Sequence, residues 1–186
     1  MVSEDLARVE GYAVGLRLVT PDDAQYVHAL RTNPEYNTHL SEVSGTVDDQ
    51  RRWIERYLLR EAAGLELYYL IERRDGVPCG LVRLYDIADS RFDWGSWILD
   101  HGKPPKAALD SAILSFGVGF EKLGLETAYL EARRTNEHAI AFYRRLGINE
   151  IGADGDNIYF AYPRSRYRSD LERHRNILEA QRSWLA

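Results

Sequence analysis

The stretch from Thr127 to Gly147, TAYLEARRTNEHAIAFYRRLG, constrains the chain most, because its hydrophobic period changes once and does so at a single Asn. From Thr127 to Ala132 apolar and polar side chains roughly alternate, as in a half-buried strand. From Ala139 onward the apolar residues Ala139, Ile140, Phe142, Tyr143 and Leu146 take up helical spacing. Asn136 lies at the change and suits an N-cap, its side-chain oxygen accepting from first-turn amides that the helix leaves unpaired; Gly147 is placed for a left-handed C-cap. The reading is strand, cap, helix, stop. Asn136 and Tyr143 are two helical turns apart and share a direction, so one extended ligand can meet both. The same residues also serve an ordinary helix packed on a sheet, with Asn as a cap and Tyr as a partly buried core residue.

The rest of the chain falls into place around this unit. Tyr12 to Val19 alternates as a strand, and Thr20-Pro21-Asp22-Asp23 starts a helix running to about Arg31. Thr32 to Gly45 lacks a helical period and reads as a loop, while Thr46-Val47-Asp48-Asp49 opens a second helix with Trp53, Ile54, Tyr57, Leu58 and Ala62 on one face. Glu66 to Arg73 and Cys79 to Ile87 form a hairpin through Asp75-Gly76, and Phe92 to Leu99 adds a third strand. After Asp100 to Lys106 comes a helix carrying Leu109, Ile113, Phe116, Phe120 and Leu123, in which Gly117 and Gly119 allow close packing. Ile148 to Gly152 and Asn157 to Tyr162 are short strands around Asp154-Gly155-Asp156. Met1 to Glu10 shows no pattern and reads as a mobile terminus. From Pro163 to Ala186 six Arg residues and the stripe Tyr167, Leu171, His174, Leu178 and Leu185 predict an added C-terminal helix, either a solvated basic helix or one facing a phosphate or an acidic partner.

The strand followed by N-x-x-A-I-x-F-Y-x-x-L-G-I resembles the C-terminal half of the GCN5-related N-acetyltransferases, or GNAT family, whose members transfer acetyl from acetyl-CoA to a primary amine. The resemblance covers roughly Leu16 to Tyr162 and implies one α/β domain: a strongly bent mixed sheet of six or seven strands, helices on both faces, and a cleft where two central parallel strands splay. The core spans 12–162, with 163–186 as a helical extension. The family's Tyr beside the thioester sulfur corresponds to Tyr143, which becomes the candidate acid. Asn136, the strand backbone at Ile98 and Leu99, and the loop-helix junction at Lys106, Ala107 and Ala108 become the candidate acetyl-CoA contacts. Where family members have R/Q-x-x-G-x-G/A, this chain has Lys103-Pro104-Pro105-Lys106-Ala107-Ala108, which removes two donors and limits backbone approach to a phosphate.

Glu131 in L-E-A-R resembles the proposed base of ribosomal-protein N-terminal-alanine acetyltransferases, and an ion pair with Arg133 or with a neighbouring strand explains it at least as well. The strings Arg31-Thr32-Asn33, Trp53 to Tyr57, Val82 to Ile87 and Trp94-Gly95-Ser96-Trp97 look like nucleotide-amino-sugar N-acetyltransferases of the pseudaminic-acid type. That likeness makes His39, Tyr85 and Trp94 candidate substrate contacts, with a core role open for the two aromatics. Three functions stand: acetylation of a nucleotide-linked amino sugar, acetylation of protein N-termini or polyamines, and a non-catalytic binding protein.

Charge and composition prune the remainder. A net charge of −5 argues against nucleic acid or anionic membrane as partner. One Cys and five scattered His give neither a disulfide framework nor metal-ligand spacing, so no metal is expected. No apolar run reaches bilayer length and no leader pattern opens the chain, which reads as cytoplasmic. The expected partner is a small-molecule amine, and a homodimer is compatible with the pattern.

Overall fold

The structure is a computed structural model describing residues 4–40 and 43–180. Eight strands form one sheet in the order β1-β2-β3-β4-β5-β6-β8-β7. They are β1 (Arg8–Glu10), β2 (Val14–Leu18), β3 (Leu67–Arg73), β4 (Pro78–Ala88), β5 (Arg91–Leu99), β6 (Thr127–Arg133), β7 (Asn149–Ala153) and β8 (Asn157–Pro163). All neighbours are antiparallel except β5 and β6. The count exceeds the expected six or seven because Arg8–Glu10, read as part of a mobile terminus, pairs with β2; three residues are too few to display a period. It is preceded by a short helix, α1 (Glu4–Ala7), while Met1–Ser3 lie outside the described residues.

Helices cover both faces. One face carries α5 (Ala107–Gly117), a π-helical turn over Val118–Lys122, α6 (Glu137–Leu146) and α7 (Arg164–Glu179), packed on Val14, Leu16, Tyr69, Val82, Leu84, Phe92 and Trp94. The opposite face carries α2 (Ala24–Thr32) and α4 (Val47–Ala62), packed on Tyr68, Leu70, Leu81 and Ile98. Buried on both sides, β3 contributes alternate residues to the two cores. The segment read as a loop after α2 contains one helical turn, α3 (Pro34–Asn37), started by the Asn33 side chain accepting from the Glu35 amide; Ser41 and Glu42 of that segment lie outside the described residues.

Local sequence chemistry sets the element ends. Thr46 and Asp49 cap α4 reciprocally, the Asp49 amide donating to Thr46 Oγ1 at 3.3 Å and the Thr46 amide to Asp49 Oδ2 at 2.8 Å. α6 closes in a Schellman motif: Gly147, at φ 79°, donates to Arg144 and Ile148 donates to Tyr143. Gly119 permits the π turn to lie on Phe92, since a Cβ there would stand 2.3 Å from the ring. Beneath it Trp94, Phe116, Phe120, Tyr162 and Tyr167 form one aromatic cluster.

The arginines of α7 are mostly spent within the fold. Arg166 pairs with Asp170, Arg168 with Glu121, and Arg164 with Glu121 and Glu126, so the helix presents no large free positive face over its described length. Arg182 and Leu185, which the sequence placed on the same helix, lie outside the described residues.

A buried carboxylate fixes the direction of α5. Asp110, 1% exposed, accepts from the amides of Ala13 at 2.6 Å and Val14 at 3.0 Å, bolting the helix to the start of β2. Burial pushes this carboxyl up, against the opposing pull of the amides. Replacing it with Ala strands two buried donors, so Asp110→Ala should lower unfolding free energy by roughly 3 kcal/mol in urea titration, and Asp110→Asn by less.

Candidate active site

The site begins where β5 and β6 part. Their parallel pairing has three rungs, Arg91 with Thr127, Phe92 with Ala128 and Asp93 with Tyr129, and then stops although both strands continue. Ser96, at φ 48°, lies in a bulge against β4: Arg83 faces Gly95 while Leu81 faces Ile98, so β5 has one residue more over that span. The extra residue reverses the alternation of β5. Phe92 and Trp94 face the α5/α6 side, and beyond the bulge Trp97 and Leu99 take that side while Ile98 joins the α2/α4 core.

The bulge also decides which main-chain groups are free. The Asp100 amide donates to the Cys79 carbonyl, so the next rung of the same phase, Ile98 with Leu81, also exchanges hydrogen bonds across β4 and β5. The carbonyl of Trp97 and both main-chain groups of Leu99 therefore face the gap. This corrects one expectation. The backbone of Leu99 is available to an extended ligand and that of Ile98 is not, because Ile98 is committed to β4. Trp97, which the sequence offers only within an aromatic string and not as a backbone contact, takes its place.

At the other end of the cleft, α5 starts at Lys106, which takes a left-handed conformation with φ 66°. The Ala107 amide donates to the Pro104 carbonyl, whereas the amides of Ala108 and Leu109 have no backbone acceptor among the described residues and lie in the open first turn of the helix. The Lys106 ammonium is directed to the Ile177 carbonyl of α7, away from a role as the leading phosphate contact. These donors, with Trp97 and Leu99, fit the pantetheine and pyrophosphate of acetyl-CoA.

The Tyr143 side chain is 5% exposed, edge-on to Trp94 at 6.0 Å and Phe160 at 5.3 Å between ring centroids. Burial, and after it the phenol of Tyr85, hold its hydroxyl protonated well above the usual phenol range. Asn136 is half-buried and caps α6 by accepting from Ala139 at 3.2 Å. Trp94, named from sequence as a substrate contact or a core residue, takes the core role: it is 1% exposed, stacked on Phe116 at 4.9 Å, and its indole donates to Ser115 Oγ at 2.8 Å. His39 sits at the mouth of the cleft, 3.4 Å from Thr135 Oγ1 in the β6-α6 connection.

On the α2/α4 face two cavities adjoin along β4. The first, of about 340 Å³, is lined by Tyr85, Asp93, Tyr129, Glu131 and Tyr159. Tyr85 leans over Gly95, where a Cβ would approach its hydroxyl to 3.2 Å, and its phenol is pushed up to about 12 by burial and then by Asp93 and Glu131. Glu131 is exposed and forms no ion pair with Arg133, so the pairing alternative is not what the fold adopts. The second cavity, of about 370 Å³, is lined by Arg31, Arg56, Arg83, Trp53, Gln50 and Tyr68 among others. Its one lining carboxylate, Asp49, is engaged with Thr46 and with Arg52 at 2.7 Å. Arg83 joins the cavities, its guanidinium 5.1 Å from the Tyr85 ring centre and 5.4 Å from that of Trp53, anchored to the buried Glu66. Neither Arg56 nor Arg83 carried a sequence signal beyond its string.

A family model described as an acetyltransferase (GNAT) domain matches residues 14–149. The chain belongs to the GNAT family of acetyltransferases. It is an acetyl-CoA-dependent N-acetyltransferase. Among solved structures, apo FdhC, described as a nucleotide-linked sugar GNAT, is 36% identical with a TM-score of 0.85, over 92% of this chain and 98% of that one. Spermidine N(1)-acetyltransferase of Escherichia coli K12 is 26% identical over 167 residues, 86% of this chain and 84% of the relative. The Mycobacterium smegmatis RimJ structure with CoA-disulfide shares the fold at 16% identity and a TM-score of 0.75, over 90% and 94% of the two chains.

The left-handed Lys106 stands where the family pattern has Gly. Lys106→Gly should gain up to about 1 kcal/mol in stability by relieving that conformation, and acetyl-CoA affinity measured by calorimetry should stay within about threefold. A tenfold loss of affinity would place the ammonium on the phosphate instead.

Proposed function

We propose that the chain acetylates the primary amine of a nucleotide-linked deoxy-amino sugar. The observation that carries this reading is the cavity holding Arg31, Arg56, Arg83 and Trp53 beside the Tyr85 pocket. Guanidinium groups bind phosphate oxygens in paired hydrogen bonds, and an indole offers a flat wall to a base or sugar ring. A polyamine would instead bring positive charge to this arginine set, a juxtaposition that costs several kcal/mol. The 36% identity to a nucleotide-linked sugar GNAT supports the same choice.

The two cavities divide the substrate. The Arg cavity takes the diphosphate end, and the Tyr85 pocket with Asp93 and Glu131 takes the ammonium next to the strand gap. Acetyl-CoA, when bound, supplies an acyl group activated as a thioester. On the α5/α6 face Leu99 and Trp97 hold the extended arm through the backbone, the first turn of α5 receives phosphate, and Tyr143 keeps a proton ready for the departing sulfur. The gap between β5 and β6 is the passage between these faces. Asn136, Ala107 and Ala108 shape the cofactor side, and His39 closes the edge of the acceptor side.

Two outcomes follow. In a panel of UDP- and dTDP-linked amino sugars, spermidine and N-terminal peptides, turnover should be confined to the sugar nucleotides, and Arg56→Ala should raise their KM about tenfold with a steep salt dependence. Turnover of spermidine alone would reverse the assignment. Tyr143→Phe should lower kcat by about two to four powers of ten while leaving the KM for acetyl-CoA nearly unchanged.

A further inference from the structure

The acceptor pocket contains two carboxylates in different surroundings. Asp93 is on the last rung shared by β5 and β6, opposite Tyr129, and stands beside Tyr85 across β4. Glu131 is two residues farther along β6 on the same face, past the point where the strands separate. Neither carboxylate forms a hydrogen bond or an ion pair among the described residues. Asp93 is half-buried at the floor of the cavity, and Glu131 is exposed at its rim.

We infer that Asp93 takes the proton from the attacking amine, and that Glu131 is the rim charge that draws the ammonium into the pocket. Paired carboxylates whose environments differ divide labour in this way, the buried member exchanging the proton and the exposed one supplying charge. Burial, and then the charge of Asp86, push the Asp93 carboxyl above its ordinary range; Arg91 pulls the other way and Glu131 adds to the rise. The groups facing Asp93 are Tyr85 and Asp86 from β4, with Arg83 on the far side of Tyr85, Tyr129 and Glu131 from β6, Tyr159 from β8, and Arg91 on its own strand. Of the two cations near it, Arg83 is paired with Glu66 and Arg91 lies over the Tyr129 ring at 5.7 Å. A primary ammonium supplies the missing positive charge.

The step balances without another reactant. An N–H bond of the ammonium breaks, the proton goes to an Asp93 carboxylate oxygen, and the electron pair stays on nitrogen for attack on the acyl carbon. The carboxylic acid then returns the proton to solvent through the open rim. After attack a second N–H bond breaks as the amide forms and its proton also leaves to solvent, while Tyr143 gives its proton to the departing sulfur and regains one from solvent; ammonium and thioester give amide, thiol and one proton. Tyr143 and Asp93 thus serve opposite faces of the sheet, and Tyr85, over Gly95, lies between them.

This inference rests on acetyl transfer to a primary amine and not on which amine is used, so it is tested on whichever compound of the panel turns over best. Asp93→Asn should lower kcat by about two to four powers of ten and abolish the rise of kcat with pH on the acidic limb. Glu131→Gln should keep that limb, move it to lower pH because a like charge has been removed, and raise the KM for the amine about tenfold. Acetyl-CoA titration of both variants checks that the fold is intact. Independently of any amine, carbon-13 NMR of the Asp93 carboxyl should titrate above the ordinary aspartate range and shift down in Glu131→Gln. An acidic limb retained in Asp93→Asn, its loss in Glu131→Gln, or an ordinary Asp93 midpoint would each overturn the inference.

Discussion

The early end of the β5/β6 ladder is the constraint on which the rest depends. Buried backbone donors and acceptors need partners, and two strands that stop pairing halfway leave a row of them unsatisfied. The bulge at Ser96 turns that liability into a site. It directs the Trp97 carbonyl and the Leu99 main chain toward the gap while keeping Ile98 on β4, so an extended amide-bearing ligand can complete the sheet.

Everything around the gap serves to hold it open at a fixed width. On one face the aromatic cluster of Trp94, Phe116, Phe120, Tyr162 and Tyr167 seats α5, and Asp110 ties that helix to β2. On the other, the buried Glu66 gathers Arg60 and Arg83, placing a guanidinium at the junction of two cavities. The sheet thereby separates two chemistries. A phenol held protonated lies on one side, carboxylates with unmet charge lie on the other, and the gap joins them.

Much of this was legible in the sequence where the signal was local. The change of period at Asn136, the capping pairs at Thr46 and Asp49, and the Asp75-Gly76 turn each report the geometry of a few neighbouring residues. The eight-stranded sheet and its helical layers are those of the GNAT family, as the N-x-x-A-I-x-F-Y string implied. What escaped depends on contacts distant in sequence. A three-residue β1 has no period, and a one-residue bulge shifts parity without changing composition, so the sequence points to the backbone of Ile98 where the fold presents that of Trp97. For Trp94 the sequence leaves a substrate contact and a core role open, and only the packing of β5 on Phe116 and Ser115 decides for the core. Asp93 carries no motif, and only the fold places it beside Glu131.

Amide hydrogen exchange followed by NMR asks whether the bulged, unpaired end of β5 is the cofactor's backbone partner. In the free protein the Ile98 amide should exchange slowly, because it is bonded to β4, and the Leu99 amide rapidly; saturating acetyl-CoA should protect Leu99, together with Ala108 and Leu109 at the start of α5, and leave Ile98 unchanged. Binding of acetyl-CoA without new protection at Leu99 would contradict the account.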